Sequence, residues 1–148
     1  METTPDLLQL IRGVNELAAF NRWCGFCVES VEAGHATISM PWRAEAGQYS
    51  GFLHAGLVGA LIDTACGFAG ASVAGAQLLA SHFSVNCLRP AVGSKFIARA
   101  RVVKPGRSQI FTACELYAVA DGKETLVATG ETLLLVVGSL GTTPTPAA

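Results

Sequence analysis

The sequence predicts an α+β fold: one long central helix wrapped by a curved antiparallel sheet of about six strands, with a further helix at the N-terminus. Three observations predict it. A nearly uncharged helical stretch runs from Leu53 to about Ala74. Two short alternating runs precede it, and four runs of period two follow it. Only a sheet made from those runs can cover a helix so apolar.

In order along the chain, Leu7 to Phe20 reads as an amphipathic helix, with Leu8, Ile11, Leu17 and Phe20 among its apolar positions. Short strands follow around Phe26 to Val31 and Ala36 to Trp42, separated by Glu32-Ala33-Gly34. Ala36, Ile38, Met40 and Trp42 alternate onto one face, the pattern of a half-buried strand. Ala44 to Gly51 is small and polar and reads as a loop. After the long helix, His82 to Leu88, Lys95 to Val103, Gln109 to Ala118 and Thr125 to Val137 read as four strands in hairpin succession. Pro105-Gly106 and Asp121-Gly122 supply turns short enough to make their flanking strands antiparallel neighbours. One domain therefore spans 1–137, and the Thr-, Pro- and Ala-rich 138–148 is expected to be a disordered tail.

Composition narrows the function classes. With 148 residues, 51% hydrophobic and 14% charged, and a mean hydropathy of +0.43, the chain is greasy for a monomer. It is expected either to enter a membrane or to bury apolar surface in an oligomer. A net charge of -1 without a Lys/Arg cluster argues against a nucleic-acid partner. The N-terminal thirteen residues lack the basic start, apolar run and cleavage site of a signal peptide. Five cysteines without a framework spacing fit reduced thiols in the cytoplasm.

The central helix has two unlike faces. At about 100° per residue, Gly56, Gly59, Asp63, Gly67 and Gly70 share one strip, and Leu57, Val58, Leu61, Ile62, Phe68 and Ala69 lie opposite. Glycine inside a helix costs about 0.5–1 kcal/mol relative to alanine, so the seam is expected to admit a close neighbour, a second helix or a strand, from this chain or a partner. Asp63 lies in the middle of it. Three readings stand for this stretch: a membrane span, opposed by the central aspartate; a structural carboxylate satisfying a buried donor; and a catalytic carboxylate, raised in pKa by its apolar setting and suited to activating water.

Just upstream runs Gln48-Tyr49-Ser50-Gly51-Phe52-Leu53-His54-Ala55-Gly56. Gln48 and Gly51, then His54-Ala55-Gly56, then Asp63 and Gly67 resemble the hotdog-fold acyl-CoA thioesterases of the PaaI-like group (phenylacetate-degradation and 4-hydroxybenzoyl-CoA thioesterases). Ser84 to Gly93, SVNCLRPAVG, is similar to that family's strand-plus-Arg-Pro segment. The resemblance covers about Leu17 to Val137. It implies hydrolysis of an aryl- or fatty-acyl-CoA, with Asp63 as nucleophile or base and Gln48 directing its amide to the thioester carbonyl or to water. It implies an oxyanion donor in the Ala55 N–H, a role that the free first-turn amides of a helix make physically sensible. It places His54 at the motif histidine, with loop ordering by a hydrogen bond standing beside direct chemistry. It puts Gly56, Phe52, Arg89 and Arg107 at the substrate, the arginines toward the coenzyme A nucleotide; Lys104 is read equally as a solvated charge. Coenzyme A enters only as part of the substrate, with no separate cofactor and no metal.

The resemblance further implies a homo-oligomer, a dimer or a homotetramer built as a dimer of dimers, with the site at the subunit interface: Gln48 and Ala55 from one chain, Asp63 from its partner. Two positions depart from the family. Ala55 replaces a glycine, and Ala80 stands where related members carry a helper Ser or Thr, leaving Ser81 or His82 as substitutes. Alternative functions are a hotdog 3-hydroxyacyl-thioester dehydratase, with His54 and Asp63 as its pair, and a non-catalytic acyl-CoA-binding protein.

Trp23-Cys24-Gly25-Phe26-Cys27 has redox-motif spacing but sits after a helix and before a strand, the reverse of the order that activates such a thiol. It is expected to be two packed thiols at a strand start. Cys66 and Cys114 lie in apolar runs and read as small core residues.

Overall fold

The computed structural model describes residues 6–139. The tail expected to be disordered lies outside them from residue 140 onward, while 138–139 still belong to the last strand. The elements are α1 (Leu7–Leu17), α2 (Ala19–Cys24), β1 (Cys27–Glu32), β2 (His35–Pro41), a 3-10 turn (Ala44–Ala46), α3 (Ala55–Ala74), β3 (Ala76–Cys87), β4 (Lys95–Lys104), β5 (Gln109–Ala120) and β6 (Lys123–Ser139).

The expected N-terminal helix is two helices. Ala18 is extended, at φ -84 and ψ 113, and α2 ends on Gly25 in the left-handed region at φ 74. Asn side chains hold the bend: Asn21 Nδ2 donates to Asn15 Oδ1 at 3.1 Å, and Asn15 Nδ2 donates to the Phe26 carbonyl at 2.9 Å. Such side-chain bonds compete with helical ones. Arg12 Nε adds a bond to the Val28 carbonyl at 3.0 Å, so α1 is fastened to β1.

All strand pairs are antiparallel, in the order β1-β2-β4-β5-β6-β3. The hairpins β4-β5 and β5-β6 follow the turn residues, but the expected hairpin between β3 and β4 does not form. Residues 88–94 carry the chain away from β3, so that β4 inserts between β2 and β5, and β3 pairs instead with β6. β3 is also six residues longer at its start than its local pattern indicates, because it begins at Ala76 against Ser139. Among the described residues its outer edge has no partner strand, and Leu79 and Phe83 of this strand are about half exposed.

The sheet curves around α3, which touches all six strands. Leu61, Ile62, Ala65, Cys66 and Ala69 are fully buried against it, together with Ile38, Met40, Phe96 and Leu116. Burying each large aliphatic side chain contributes about 1.5–3 kcal/mol, and this helix is the centre of that burial. α3 is long and apolar enough to cross a membrane, yet here it is the core helix of the fold.

The glycine seam has a more local use than an intersubunit contact alone. A Cβ on Gly59 would meet the Phe83 ring at 3.3 Å, and one on Gly70 would meet Leu134 Cδ1 at 2.4 Å. Both glycines therefore let β3 and β6 of the same chain approach α3. At Gly67 a Cβ would have nothing within 4 Å, so the seam opens there.

Candidate active site

The segment before α3 is a tight loop held by its own backbone. Gly47 and Leu53 form an isolated antiparallel bridge, the Gln48 N–H donates to Phe52 O at 2.8 Å, and the Gly51 N–H donates to Gln48 O at 2.9 Å. Gly51 adopts φ 82, a conformation glycine enters without a side-chain clash. The Gln48 side-chain oxygen accepts the Ser50 N–H. That bond fixes the amide orientation and leaves the Gln48 NH₂ as the available donor end. Two further bonds anchor the loop: the Leu53 N–H donates to Ala91 O at 3.0 Å, and the His54 N–H to Ala46 O at 2.9 Å.

His54 is the N-cap of α3. Its Nδ1 accepts the Gly56 N–H at 2.9 Å, which places the ring proton on Nε2. Of the two readings of this histidine, ordering of the helix entry has a defined bond. Ala55 is the first residue of α3, where an N–H has no intrahelical acceptor and the helix dipole is positive.

Gln48, Phe52, Ala55 and Arg89 share one cavity of about 320 Å³, lined also by Val58 and Val127. Arg89 is tied to it through Nη1, which donates to Leu126 O at 2.7 Å; its remaining guanidinium donors are the cationic feature of this cavity. Gly56 is exposed at the helix start, beside the His54 ring. Arg107 is exposed in the turn between β4 and β5 and lines neither this cavity nor the one at Asp63.

Asp63 is not in that cavity. Two turns farther along α3, it opens into a separate groove of about 600 Å³ between α1, α3 and the start of β3. The Thr132 hydroxyl on β6 donates to Asp63 Oδ1 at 3.5 Å, and Thr132 itself is buried. Burial pushes the Asp63 carboxyl above its ordinary range, while the Thr132 bond opposes the rise. A single chain therefore brings Gln48, Ala55, Phe52 and Arg89 together and sets Asp63 apart from them.

Thr132 is the residue that the sequence reading missed. It lies in the middle of an apolar strand, and no local pattern marks it; only the crossing of β6 over α3 brings it to Asp63. Ala80 lines the Asp63 groove and carries no hydroxyl. Ser81 is displaced at a bulge between Ala80 and His82, where its Oγ donates to Leu133 O at 3.4 Å.

The other thiols behave as core or surface groups. Cys24 is buried and pushed up by desolvation, with Arg43 opposing. Cys27 is exposed rather than packed as expected. Cys66 and Cys114 are both buried, and the Cys114 thiol is pushed up by its bond to Cys66 and by burial. Among the described residues no group of three or more His, Cys, Asp or Glu side chains is placed to hold a metal.

The thioesterase-superfamily model matches residues 50–125, just over half of the chain. A solved thioesterase family protein from Silicibacter pomeroyi is 34% identical, superposes with a TM-score of 0.87, and the match covers 90% of this chain and 100% of that one. The Escherichia coli PaaI protein of the phenylacetic acid degradation operon shares the fold at a TM-score of 0.81 and 24% identity, over 90% of this chain and 94% of its own. A relative from Saccharolobus solfataricus that carries an esterase name is 29% identical over 97 residues, 65% of this chain and 69% of the relative. With a wrapped central helix, a six-strand antiparallel sheet and these matches, the chain belongs to the thioesterase superfamily and is a thioester hydrolase with the hotdog fold that PaaI shares.

Proposed function

We propose that the protein hydrolyses acyl-CoA thioesters to the free acid and coenzyme A, at a site that two copies of the chain complete together. The observation that carries this reading is the Asp63 carboxylate, half-buried on α3 and open to an apolar groove. Desolvation raises its basicity, which suits it to draw a proton from water. The oxygen of that water bonds to the acyl carbon, the C–S bond breaks, and the proton leaves with the coenzyme A sulfur.

Oxyanion stabilisation falls to the other cavity. Gln48 and Ala55 both line it, their NH₂ and N–H are the donors available there, and the helix terminus adds roughly half a positive charge. Donors of this kind act on charge that develops only in the transition state. Arg89 borders the same cavity and suits the anionic nucleotide end of coenzyme A.

Because one chain separates Gln48 from Asp63, a complete site calls for a second copy. The unpaired edge of β3 supports that step, since a long uncapped edge strand is a template for pairing with another chain. An isologous β3-to-β3 dimer gives two equivalent sites, and such dimers can pair further into a tetramer. Five free cysteines support a reducing, cytoplasmic setting. No cofactor beyond the coenzyme A of the substrate is invoked.

The test is thiol release from an acyl-CoA panel by the wild type and by Asp63→Asn. Loss of turnover in a folded Asp63→Asn protein is expected; full activity in that variant sinks the reading. The dehydratase alternative needs His54 and Asp63 side by side. Within one chain nine residues separate them by about 13 Å, so the pair would have to form across two copies, and His54 Nδ1 is already engaged by Gly56. Enoyl-thioester absorbance without thiol release would restore that alternative, and tight binding without either product would mark a non-catalytic binder.

A further inference from the structure

Four hydrogen-bonding side chains lie buried in an otherwise apolar part of the core: Thr112 and Cys114 on β5, Thr132 on β6 and Cys66 on α3. Two close approaches show how α3 runs over β6. A Cβ on Gly130 would strike Ile62, and one on Gly70 would strike Leu134. From Ile62 to Gly70 the helix rises about 12 Å, and from Gly130 to Leu134 the strand extends about 13 Å. Cys66 therefore comes level with Thr132 at the midpoint of both. Its thiol is within hydrogen-bonding reach of the Thr112 and Thr132 hydroxyls. Asp63, three residues earlier on α3, takes the Thr132 hydroxyl.

Thr132 is fastened unequally on its two sides. Toward β3 the ladder is interrupted by the bulge between Ala80 and His82, beside the Phe83–Thr132 pair, and a bulge leaves one residue unpaired. Toward β5, Thr112 is its direct cross-strand partner, and the Thr112 hydroxyl donates to the Thr132 carbonyl at 2.7 Å. Both threonines are buried, so a donor lost here is not replaced by bulk water. The bond beyond it is long. At 3.5 Å, Thr132 to Asp63 is at the outer limit of hydrogen bonding, and a small shift of β6 makes or loses it. A valine in place of Thr112 would fill the same space without needing an acceptor, and valine suits inward strand positions.

We propose that Thr112 is a positioning residue of the hydrolysis, holding the Thr132 hydroxyl against the Asp63 carboxylate through its bond to the Thr132 carbonyl. The proposal rests on the reading of Asp63 as the group that activates water. Among the described residues, the groove around Asp63 brings no other ionisable side chain from α1, α3, β3 or β6. Behind it the titratable groups are the Cys66 and Cys114 thiols. The Thr132 hydroxyl is thus the hydrogen bond through which the surrounding strands reach the carboxylate.

The experiment follows the Asp63 carboxyl directly, by carbon NMR titration of protein labelled at its aspartate carboxyls. It runs beside kcat/KM against pH for the ester of the acyl-CoA panel that turns over best. The chain has three aspartates, Asp6, Asp63 and Asp121, and the signal lost in Asp63→Asn belongs to Asp63. Thr112→Val should move the Asp63 midpoint upward, as Thr132→Val does, and lower kcat/KM about threefold at a fixed pH on the acid limb. Thr112→Ser keeps the hydroxyl and should return both readouts to the wild-type position. With Thr132→Val already present, Thr112→Val should move neither further. A Thr112→Val protein that melts lower while its Asp63 titration stays in place makes Thr112 structural only and overturns the proposal. An added shift in the double variant overturns it too, because Thr112 would then act by a route other than Thr132. If Thr112→Val fails to fold, Thr112→Ala carries the same expectations. A Thr112-dependent Asp63 titration in a protein that hydrolyses no thioester, or whose pH–rate profile does not follow it, would keep the linkage and overturn the hydrolase reading on which the proposal rests.

Discussion

Thr132 Oγ1 lies 3.5 Å from Asp63 Oδ1, a contact between the middle of the last strand and the middle of the central helix. Thr132 is 1% exposed, and β6 is held on both sides by β5 and β3, so the backbone that carries its hydroxyl stays in place. The donor is fixed and the carboxylate is oriented against it. The bond is long, and it moderates the rise in basicity that burial imposes on Asp63.

Replacing Thr132 by valine removes that donor at nearly constant volume. The Asp63 carboxyl should then rise further, and the acidic limb of the pH–rate profile should move to higher pH. The rate on the alkaline plateau should hold or rise, because a more basic carboxylate draws the proton from water more readily. Thr132→Ser keeps the hydroxyl and should restore both features. A valine variant with an unshifted profile would show that Thr132 is structural only.

Asp63 should make the fold less stable at neutral pH. Its folded pKa is raised, so its contribution to stability is fully present below the unfolded value of about 3.9 and is lost as pH rises through the folded pKa. Asp63→Asn should therefore unfold at a higher temperature than the wild type at pH 7. The difference should shrink to nothing in acid. Calorimetric melting at the two pH values checks this, and an Asn variant less stable at neutral pH contradicts it.

Gln48→Glu separates two roles of one side chain. Glutamate keeps an oxygen for the Ser50 N–H but has no NH₂ to offer a carbonyl. If Gln48 stabilises the oxyanion, kcat should fall by about 10²–10³ with the loop intact. Unchanged turnover in this variant removes Gln48 from the reaction.

Mixing the two inactive chains tests the shared site. In a heterodimer of Asp63→Asn and Gln48→Glu chains, a site that draws the two residues from different chains is intact once and doubly damaged once. Refolding an equal mixture should then recover about a quarter of wild-type activity, given random two-fold pairing. No recovery is expected if both residues serve the same site from one chain.

The glycines of the core should respond oppositely to one methyl group. Gly67→Ala places a Cβ in open space and should stabilise by about 0.5–1 kcal/mol through helix propensity. Gly130→Ala places one 2.7 Å from both Ile62 Cγ2 and the Ser84 carbonyl, where α3 lies against β6. It should destabilise by about 1–3 kcal/mol. Urea unfolding of the two variants gives both numbers.

The sequence by itself determined the parts whose cause is local. The apolar length and two-faced wheel of α3, the alternation in β2, β4, β5 and β6, and the Pro-Gly and Asp-Gly turns each express short-range rules of backbone and burial. The motif from Gln48 to Asp63 was legible in the same way, as residue types at fixed spacing. Tertiary structure decided what depends on partners distant in the chain. The insertion of β4 beside β2, the early start of β3 against β6, and the break at Ala18 are chosen by non-local pairing and side-chain bonds. So is the meeting of Thr132 with Asp63, 69 residues apart. The separation of Gln48 from Asp63 was decided there too, because α3 is rigid and carries its N-terminus and its midpoint to different cavities.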